Sequence, residues 1–123
     1  MKTLTTLAAV AVASLTLSGL AQADSFRKMD AGYWSRIDLK TVVVYDWSMR
    51  TRYRLDLRDD CLAMHTDEGA RLAATWVGRI DGSFRDRMIF GGTSCYIDHV
   101  EKLNDEEFAA LLDGRTLQMA GLD

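Results

Sequence analysis

The stretch TVVVYDWSMRTRYRLDLRDDC, residues 41–61, decides the fold, because two different strand patterns flank a short turn. Thr41–Tyr45 is an unbroken β-branched and aromatic run, which is typical of a strand buried on both faces. From Arg50 to Arg58, apolar and charged residues alternate with period two, which predicts a strand with one solvated face. The apolar face of that second strand comprises Thr51, Tyr53, Leu55 and Leu57.

The remaining chain continues the β pattern and then changes to a helical one. Asp81-Gly82 is a strong hairpin signal and predicts that a strand over 72–80 pairs with a strand over 84–90. Asn104 and Glu107 have the spacing of a capping box, and Gly114 can end the helix that follows. The sequence therefore predicts a mainly β (α+β) fold, an antiparallel β-meander or small open barrel of five to six strands with one C-terminal helix.

The beginning of the sequence has the pattern of an exported protein. Lys2 is followed by an uncharged apolar segment and then by Ala21-Gln22-Ala23, the small-x-small pattern that signal peptidase cuts. A transmembrane anchor is the alternative, but the segment is diluted by Thr and Ser and short of the roughly 20 residues that a span needs. We expect a signal peptide at 1–23 and a single disulfide-linked β-rich domain at 24–123, periplasmic or secreted from a bacterium, with no membrane insertion after cleavage.

The two cysteines, Cys61 and Cys95, are predicted to pair with each other, because small domains in oxidising compartments use their cysteines in this way. A thiol nucleophile is the competing interpretation. The Cys-x-x-Cys spacing of redox proteins is missing, which favours the disulfide.

The charge of the chain argues against nucleic acid as a partner. Without residues 1–23, which hold one lysine and no acid, 14 of the 15 basic groups remain against 18 acidic ones, so the net charge is −4. One local basic stripe stands out on the solvated face of the second strand, and its candidate anion- or partner-binding residues are Arg50, Arg52, Arg54 and Arg58. Guanidiniums at alternate strand positions stand about 6.6–7 Å apart and suit phosphates or carboxylates. The competing interpretation is an ordinary solvated strand face.

Catalytic and metal-binding patterns are weak. His65 and His99 lack the spacing of a zinc site, and a bridged cysteine pair leaves no thiolate ligand, so we expect neither a metal nor a cofactor. A hydrolytic triad could be drawn from Ser94, His99 and either Asp86 or Asp98, but no nucleophile motif surrounds the serine. We therefore expect a protein without catalytic residues that is not an enzyme.

The segment from Ile37 to Leu103 resembles a family of small secreted proteobacterial proteins known only as a domain of unknown function. The resemblance rests on IDLKTVVVYDWSMRTRYRLDLRDDC, on Asp86, and on CYIDHVEKL, and it covers roughly two-thirds of the chain after residue 23. Some members carry a further cysteine near the middle hairpin, where this sequence reads GSFRDRM. The resemblance implies secretion and a cysteine-bearing β domain, and it implies no activity.

Three functions remain open from the sequence. We expect first a non-enzymatic periplasmic or secreted β domain, a monomer, that binds a protein or an acidic envelope component. The second possibility is a small-molecule carrier whose barrel mouth is lined by aromatic residues, namely Trp34, Trp47, Trp76, Phe84 and Phe90. The third is a small hydrolase that uses His99.

Overall fold

The computed structural model describes residues 24–65 and 69–122, so the predicted signal peptide at 1–23 lies outside the described residues. Within the described ranges, no helix is long and apolar enough to cross a membrane.

Seven strands form one sheet in the described part of the chain, in the order β5-β7-β8-β4-β3-β2-β9. They are β2 (Ala31–Asp38), β3 (Thr41–Asp46), β4 (Arg52–Leu57), β5 (Ala70–Ala73), β7 (Arg87–Phe90), β8 (Thr93–Leu103) and β9 (Met119–Gly121). Two further short strands, β1 (Phe26–Arg27) and β6 (Arg79–Ile80), pair with each other in a separate sheet. Single 3₁₀ turns cover Lys28–Asp30 and Leu62–His65, and one helix, α1, covers Asp105–Leu112.

The sheet curls into a nearly closed barrel. All neighbouring strands in it pair antiparallel. The two outer strands of the order, β5 and β9, approach each other at one parallel bridge between Ala70 and Leu122. The expectation of a mainly β antiparallel fold with a barrel-like sheet and one C-terminal helix is therefore confirmed. The structure adds short strands that the sequence pattern did not predict, because two- and three-residue strands have no visible periodicity.

The barrel interior is a packed apolar core. The alternation in β4 points Leu55 and Leu57 inward, where both are buried, as predicted. Val42 and Val44 of β3 share this core, whereas Val43 and Tyr45 face outward and are buried by a second cluster. The unbroken apolar run of β3 is thus explained by burial on both faces of the sheet.

The second cluster lies between the barrel wall and helix α1. Val43, Tyr45 and Leu103 are its buried members, and Phe108 of the helix packs on them. The predicted capping box is present, because the Asn104 side chain accepts from the Glu107 backbone N–H and the Glu107 side chain accepts from the Asn104 N–H. The helix therefore covers part of the outer face of β3 and β4.

The two strands predicted to flank Asp81-Gly82 do pair antiparallel, but the tight turn predicted at Asp81-Gly82 is wrong. Strand β5 ends at Ala73, and β7 begins at Arg87 and pairs with it through Ala73 and Arg87, so residues 74–86 form a long connection. Within that connection the Arg79–Ile80 pair leaves the barrel and joins β1 instead. Gly82 does adopt the positive φ that the pattern suggested, at +86°, but a Cβ there would lie 2.9 Å from the Asp98 carbonyl oxygen. Close backbone approach to β8 thus accounts for this glycine.

The disulfide between Cys61 and Cys95 is present, with a Cα–Cα distance of 5.8 Å, as the sequence predicted. Both cysteines are buried in the barrel core. The bond ties the segment that follows β4 to the beginning of β8, and it indicates an oxidising environment outside the cytoplasm.

Candidate functional site

The four candidate arginines do not form one stripe. Arg50 lies in the exposed β3–β4 turn, where its backbone N–H donates to Asp46 Oδ1 at 3.1 Å. Arg52 begins β4 and Arg54 follows two residues later on the same outer face, and Arg52 contacts the first turn of helix α1. Arg58 lies beyond the end of β4, where its N–H donates to the Tyr96 carbonyl at 2.9 Å.

Arg52 and Arg54 are held by acidic groups of the same chain. Arg52 pairs with Asp105 in the first turn of α1, and its guanidinium carbon lies 4.2 Å from the centroid of the Phe108 ring. Arg54 pairs with Glu101 of β8 at 2.6 Å and with Asp56 at 3.3 Å. Their charges are already compensated, so the structure gives these two arginines structural contacts and favours the solvated-face interpretation for the middle of β4.

A different set of arginines gathers around Arg58. A shallow cleft of about 500 Å³ at this end of the barrel is lined by Arg58, Phe84, Arg85, Arg87, Ser94 and Tyr96. We refer to these six residues as the arginine–aromatic surface. Its members come from the end of β4, the 74–86 connection, β7 and β8, and they meet because β8 pairs with both β4 and β7.

Aromatic rings contact two of the three guanidiniums of this surface, those of Arg58 and Arg85. The Arg58 guanidinium carbon lies 5.2 Å from the Tyr96 ring centroid and 5.9 Å from that of Phe84. The Arg85 guanidinium carbon lies 5.8 Å from the Phe84 ring centroid, and Arg58 Nη2 donates to the Phe84 carbonyl at 3.2 Å. Phe84 itself remains 71% exposed. Arg87 Nη1 donates to the Arg85 carbonyl at 2.9 Å, so these two hydrogen bonds to backbone carbonyls use a minority of the fifteen N–H donors of the three guanidiniums.

The surface is a local concentration of positive charge. Its lining has three arginines and no carboxylate. Among the described residues, none of these three arginines makes a salt bridge. Three guanidiniums at one cleft can pair with carboxylate or phosphate groups.

Asp86 fixes the connection that carries Phe84 and Arg85. Its fully buried carboxylate accepts from the backbone N–H groups of Asp81, Gly82 and Ser83 at 2.8, 3.1 and 3.2 Å, and from Thr75 at 2.5 Å. Burial alone raises the pKa of Asp86, but these hydrogen bonds outweigh it and hold the pKa below 3.8. The ionised carboxylate therefore accepts hydrogen bonds from the backbone N–H groups of this connection, and Phe84 and Arg85 project from it into solvent.

Sequence reasoning missed Arg85 and Arg87 because it assigned them to a regular hairpin strand. The available signal was GSFRDRM, in which two arginines flank an aspartate beside an aromatic residue. Asp86 is buried, whereas Arg85 and Arg87 stay accessible to solvent. In the sequence alone, the three residues resemble ordinary surface charge.

The five aromatic residues proposed to line a barrel mouth are not brought together. Trp34 and Phe90 pack edge-on inside the core with centroids 5.2 Å apart. Trp76 and Phe84 are exposed at different places on the 74–86 connection. Trp47 lines a cleft of about 520 Å³ between the β3–β4 turn and the residues around β1, whereas Phe84 lines the separate arginine–aromatic surface.

The residues of the conceivable triad are also separated. Ser94 and His99 lie five positions apart on β8, which is about 16 Å along a strand. Asp86 is engaged in its turn, and Asp98 is exposed. The structure therefore does not assemble a nucleophile, a base and an orienting acid from these residues. Among residues 24–65 and 69–122, no three His, Cys, Asp or Glu side chains are grouped as metal ligands.

Comparison with known proteins gives one result that concerns the whole chain. A family model described as "Family of unknown function (DUF6491)" matches residues 1–117. No curated protein and no solved structure matches the sequence. The match agrees with the resemblance drawn from the strand and cysteine motifs, and its description includes no activity. The chain therefore belongs to the family of unknown function DUF6491.

Proposed function

We propose that this protein is a non-enzymatic binding domain of the bacterial periplasm or extracellular space, and that its arginine–aromatic surface binds an acidic segment of another protein. One observation carries the proposal: Arg58, Arg85 and Arg87 line one cleft together with an exposed phenylalanine, and none of the described residues that line it carries a carboxylate. The buried disulfide supports a location in an oxidising compartment.

The composition of the surface favours a protein over a purely anionic polymer as the partner. Arginine and aromatic side chains are enriched where proteins bind proteins, because both offer a large contact area and directional contacts. Phe84 can contact an apolar side chain, while the guanidiniums pair with flanking carboxylates in bidentate geometry. An anionic glycan would use the arginines and leave Phe84 without a matching group.

The surface is also rigid enough to bind without a large ordering cost. Tyr96 lies on β8, Arg87 on β7, and the turn with Phe84 and Arg85 is anchored by the four hydrogen bonds to Asp86. A site that is ordered before binding loses less conformational entropy when the partner arrives.

The test measures binding of a fluorescein-labelled peptide, Glu-Glu-Phe-Glu-Glu, by fluorescence anisotropy. Replacing Arg58, Arg85 and Arg87 together with Gln should weaken binding about tenfold or more, and raising the ionic strength should weaken wild-type binding. Phe84→Ala should weaken binding of the Phe-containing peptide more than it weakens binding of pentaglutamate.

A matched control removes three positive charges elsewhere. Lys40, Arg50 and Lys102 are exposed and lie outside the surface, so their replacement with Gln should leave affinity within about twofold. Equal losses in the two triple variants would show that only net charge matters and would refute the assigned surface. Tighter binding of heparin than of the peptide would make a glycan the ligand.

A further inference from the structure

A second cleft lies at the opposite end of β4 and is lined by aromatic residues and by side chains of both charges. The opening of about 520 Å³ beside Trp47 includes the aromatic residues Phe26 and Tyr53, whose ring centroids lie 4.8 Å apart. An apolar recess of about 420 Å³ adjoins it and shares Ala31 and Trp47. The recess is completed by Lys28, Met29, Leu72, Gly78 and Leu122.

Trp47 lines both the cleft and the recess, and neighbouring groups hold its side chain in place although it is exposed. Its indole N–H donates to the Met29 carbonyl at 3.0 Å, and its ring packs edge-on against Tyr33. The ring lies directly over Gly32, where a Cβ would come within 2.7 Å of it. Trp47 is nonetheless 59% exposed, so an ordered aromatic face is available to a ligand.

Carboxylates lie close to the aromatic residues of the larger cleft. Burial raises the pKa of Tyr53, and the carboxylates of Asp46, Asp24 and Asp30 raise it further, whereas Arg79 acts against them. Asp46 and Asp30 both line the cleft.

The two arginines of the lining are engaged by neighbouring groups. Arg27 forms a salt bridge with Asp30 at 2.9 Å, and Arg79 Nε donates to Ser25 Oγ at 3.0 Å. Both guanidiniums therefore have partners in the same chain.

The Asp46 carboxylate lines the cleft as well. Burial raises the pKa of Asp46, but hydrogen bonds from Ser48 Oγ and from the backbone N–H groups of Arg50 and Thr51 outweigh it and lower the pKa. The carboxylate therefore stays ionised in the cleft.

We propose that this paired cleft binds an alkylammonium compound, with the cationic head between Trp47, Tyr53 and Asp46 and the alkyl chain in the recess beside Met29 and Leu122. A cation over aromatic faces gains electrostatically from their electron density, more strongly where carboxylates lie near. The alkyl chain gains by leaving water for an apolar recess. This site is separate from the arginine–aromatic surface, and neither depends on the other.

The test is isothermal titration calorimetry of the protein with hexyltrimethylammonium chloride, with hexanol and hexyl sulfate as neutral and anionic analogues. The ammonium compound should bind about tenfold or more tightly than hexanol, as a cation–π contact near carboxylates provides. Trp47→Ala should weaken its binding about fivefold or more. Trp76→Ala removes another exposed tryptophan, outside the cleft, and should leave affinity unchanged.

A second variant keeps Trp47 in place in case its removal disturbs the turn. Thr51 lines the cleft. Thr51→Lys should weaken binding of the ammonium compound through charge repulsion, and it should leave the affinity for hexanol unchanged. Equal affinity for all three compounds, no measurable binding of the ammonium compound, or an unchanged affinity in both cleft variants would overturn the proposal.

Discussion

At the scale of single residues, Asp86 shows how little a sequence reveals about a buried charge. It stands between two arginines in GSFRDRM and has the appearance of one more surface acid. In the fold it is fully buried, and its carboxylate organises the turn from which Phe84 and Arg85 project. Only the long 74–86 connection, which the hairpin prediction excluded, brings four backbone N–H groups around one side chain.

We expect Asp86→Asn to lower the free energy of unfolding by about 2–3 kcal/mol, because an amide cannot accept all the hydrogen bonds that an ionised carboxylate accepts. The measurement is urea denaturation followed by circular dichroism. Asp98→Asn, which changes an exposed acid on β8, should shift stability by less than about 0.5 kcal/mol. Similar losses in both variants would contradict the role of Asp86.

Because the Asp86 carboxylate is ionised in the fold, we expect the free energy of unfolding to depend on pH. The pKa of Asp86 in the folded state is below 3.8, so its contribution is fully present above that pH and is lost as the pH falls through the lower folded value. The stability advantage of the wild type over Asp86→Asn should therefore shrink between about pH 7 and about pH 3. A constant difference across that range would show that the charge of Asp86 is not the cause.

At the scale of elements, β4 has two roles along its length. Its alternation predicted correctly that Leu55 and Leu57 enter the core, because burial of every second side chain is a local property of the strand. What covers the outer face could not be predicted, since it depends on where helix α1 docks. The helix supplies Asp105 and Phe108 to Arg52, and β8 supplies Glu101 to Arg54.

Arg52→Gln should therefore reduce stability and leave peptide binding intact. Loss of the ion pair and of the contact with the Phe108 ring should lower the free energy of unfolding by about 1 kcal/mol. Arg58→Gln should show the reverse, with weaker peptide binding and stability within about 0.5 kcal/mol of the wild type. Anisotropy titration and urea denaturation of both variants give this comparison, and an exchange of the two effects would contradict it.

At the scale of the whole molecule, the β class, the helix and the disulfide followed from local patterns and cysteine number. The closure of the barrel could not be predicted from these patterns, because β9 has three exposed residues. The contact between β5 and β9 depends on one bridge between Ala70 and Leu122. The arginine–aromatic surface was also beyond the sequence, since it joins residues from Arg58 to Tyr96 through strand order. Long-range pairing has no local signal.

Replacing Cys61 and Cys95 together with Ala should lower the free energy of unfolding by about 3–4 kcal/mol, since the sequence separation of 34 residues is no longer closed in the unfolded chain. Thermal unfolding of the double variant, compared with wild type with and without reductant, measures this loss. Reduced wild type should match the variant. Equal stability of oxidised and reduced protein would contradict a structural role for the bond.

The most direct test of the binding proposal is NMR observation of the arginine side-chain Nε–H groups during titration with Glu-Glu-Phe-Glu-Glu. We expect the signals of Arg58, Arg85 and Arg87 to shift together with one dissociation constant, while those of Arg52 and Arg54 remain in place because acidic groups of the same chain already hold them. Shifts at Arg52 and Arg54 without shifts at the other three would contradict the proposed binding surface.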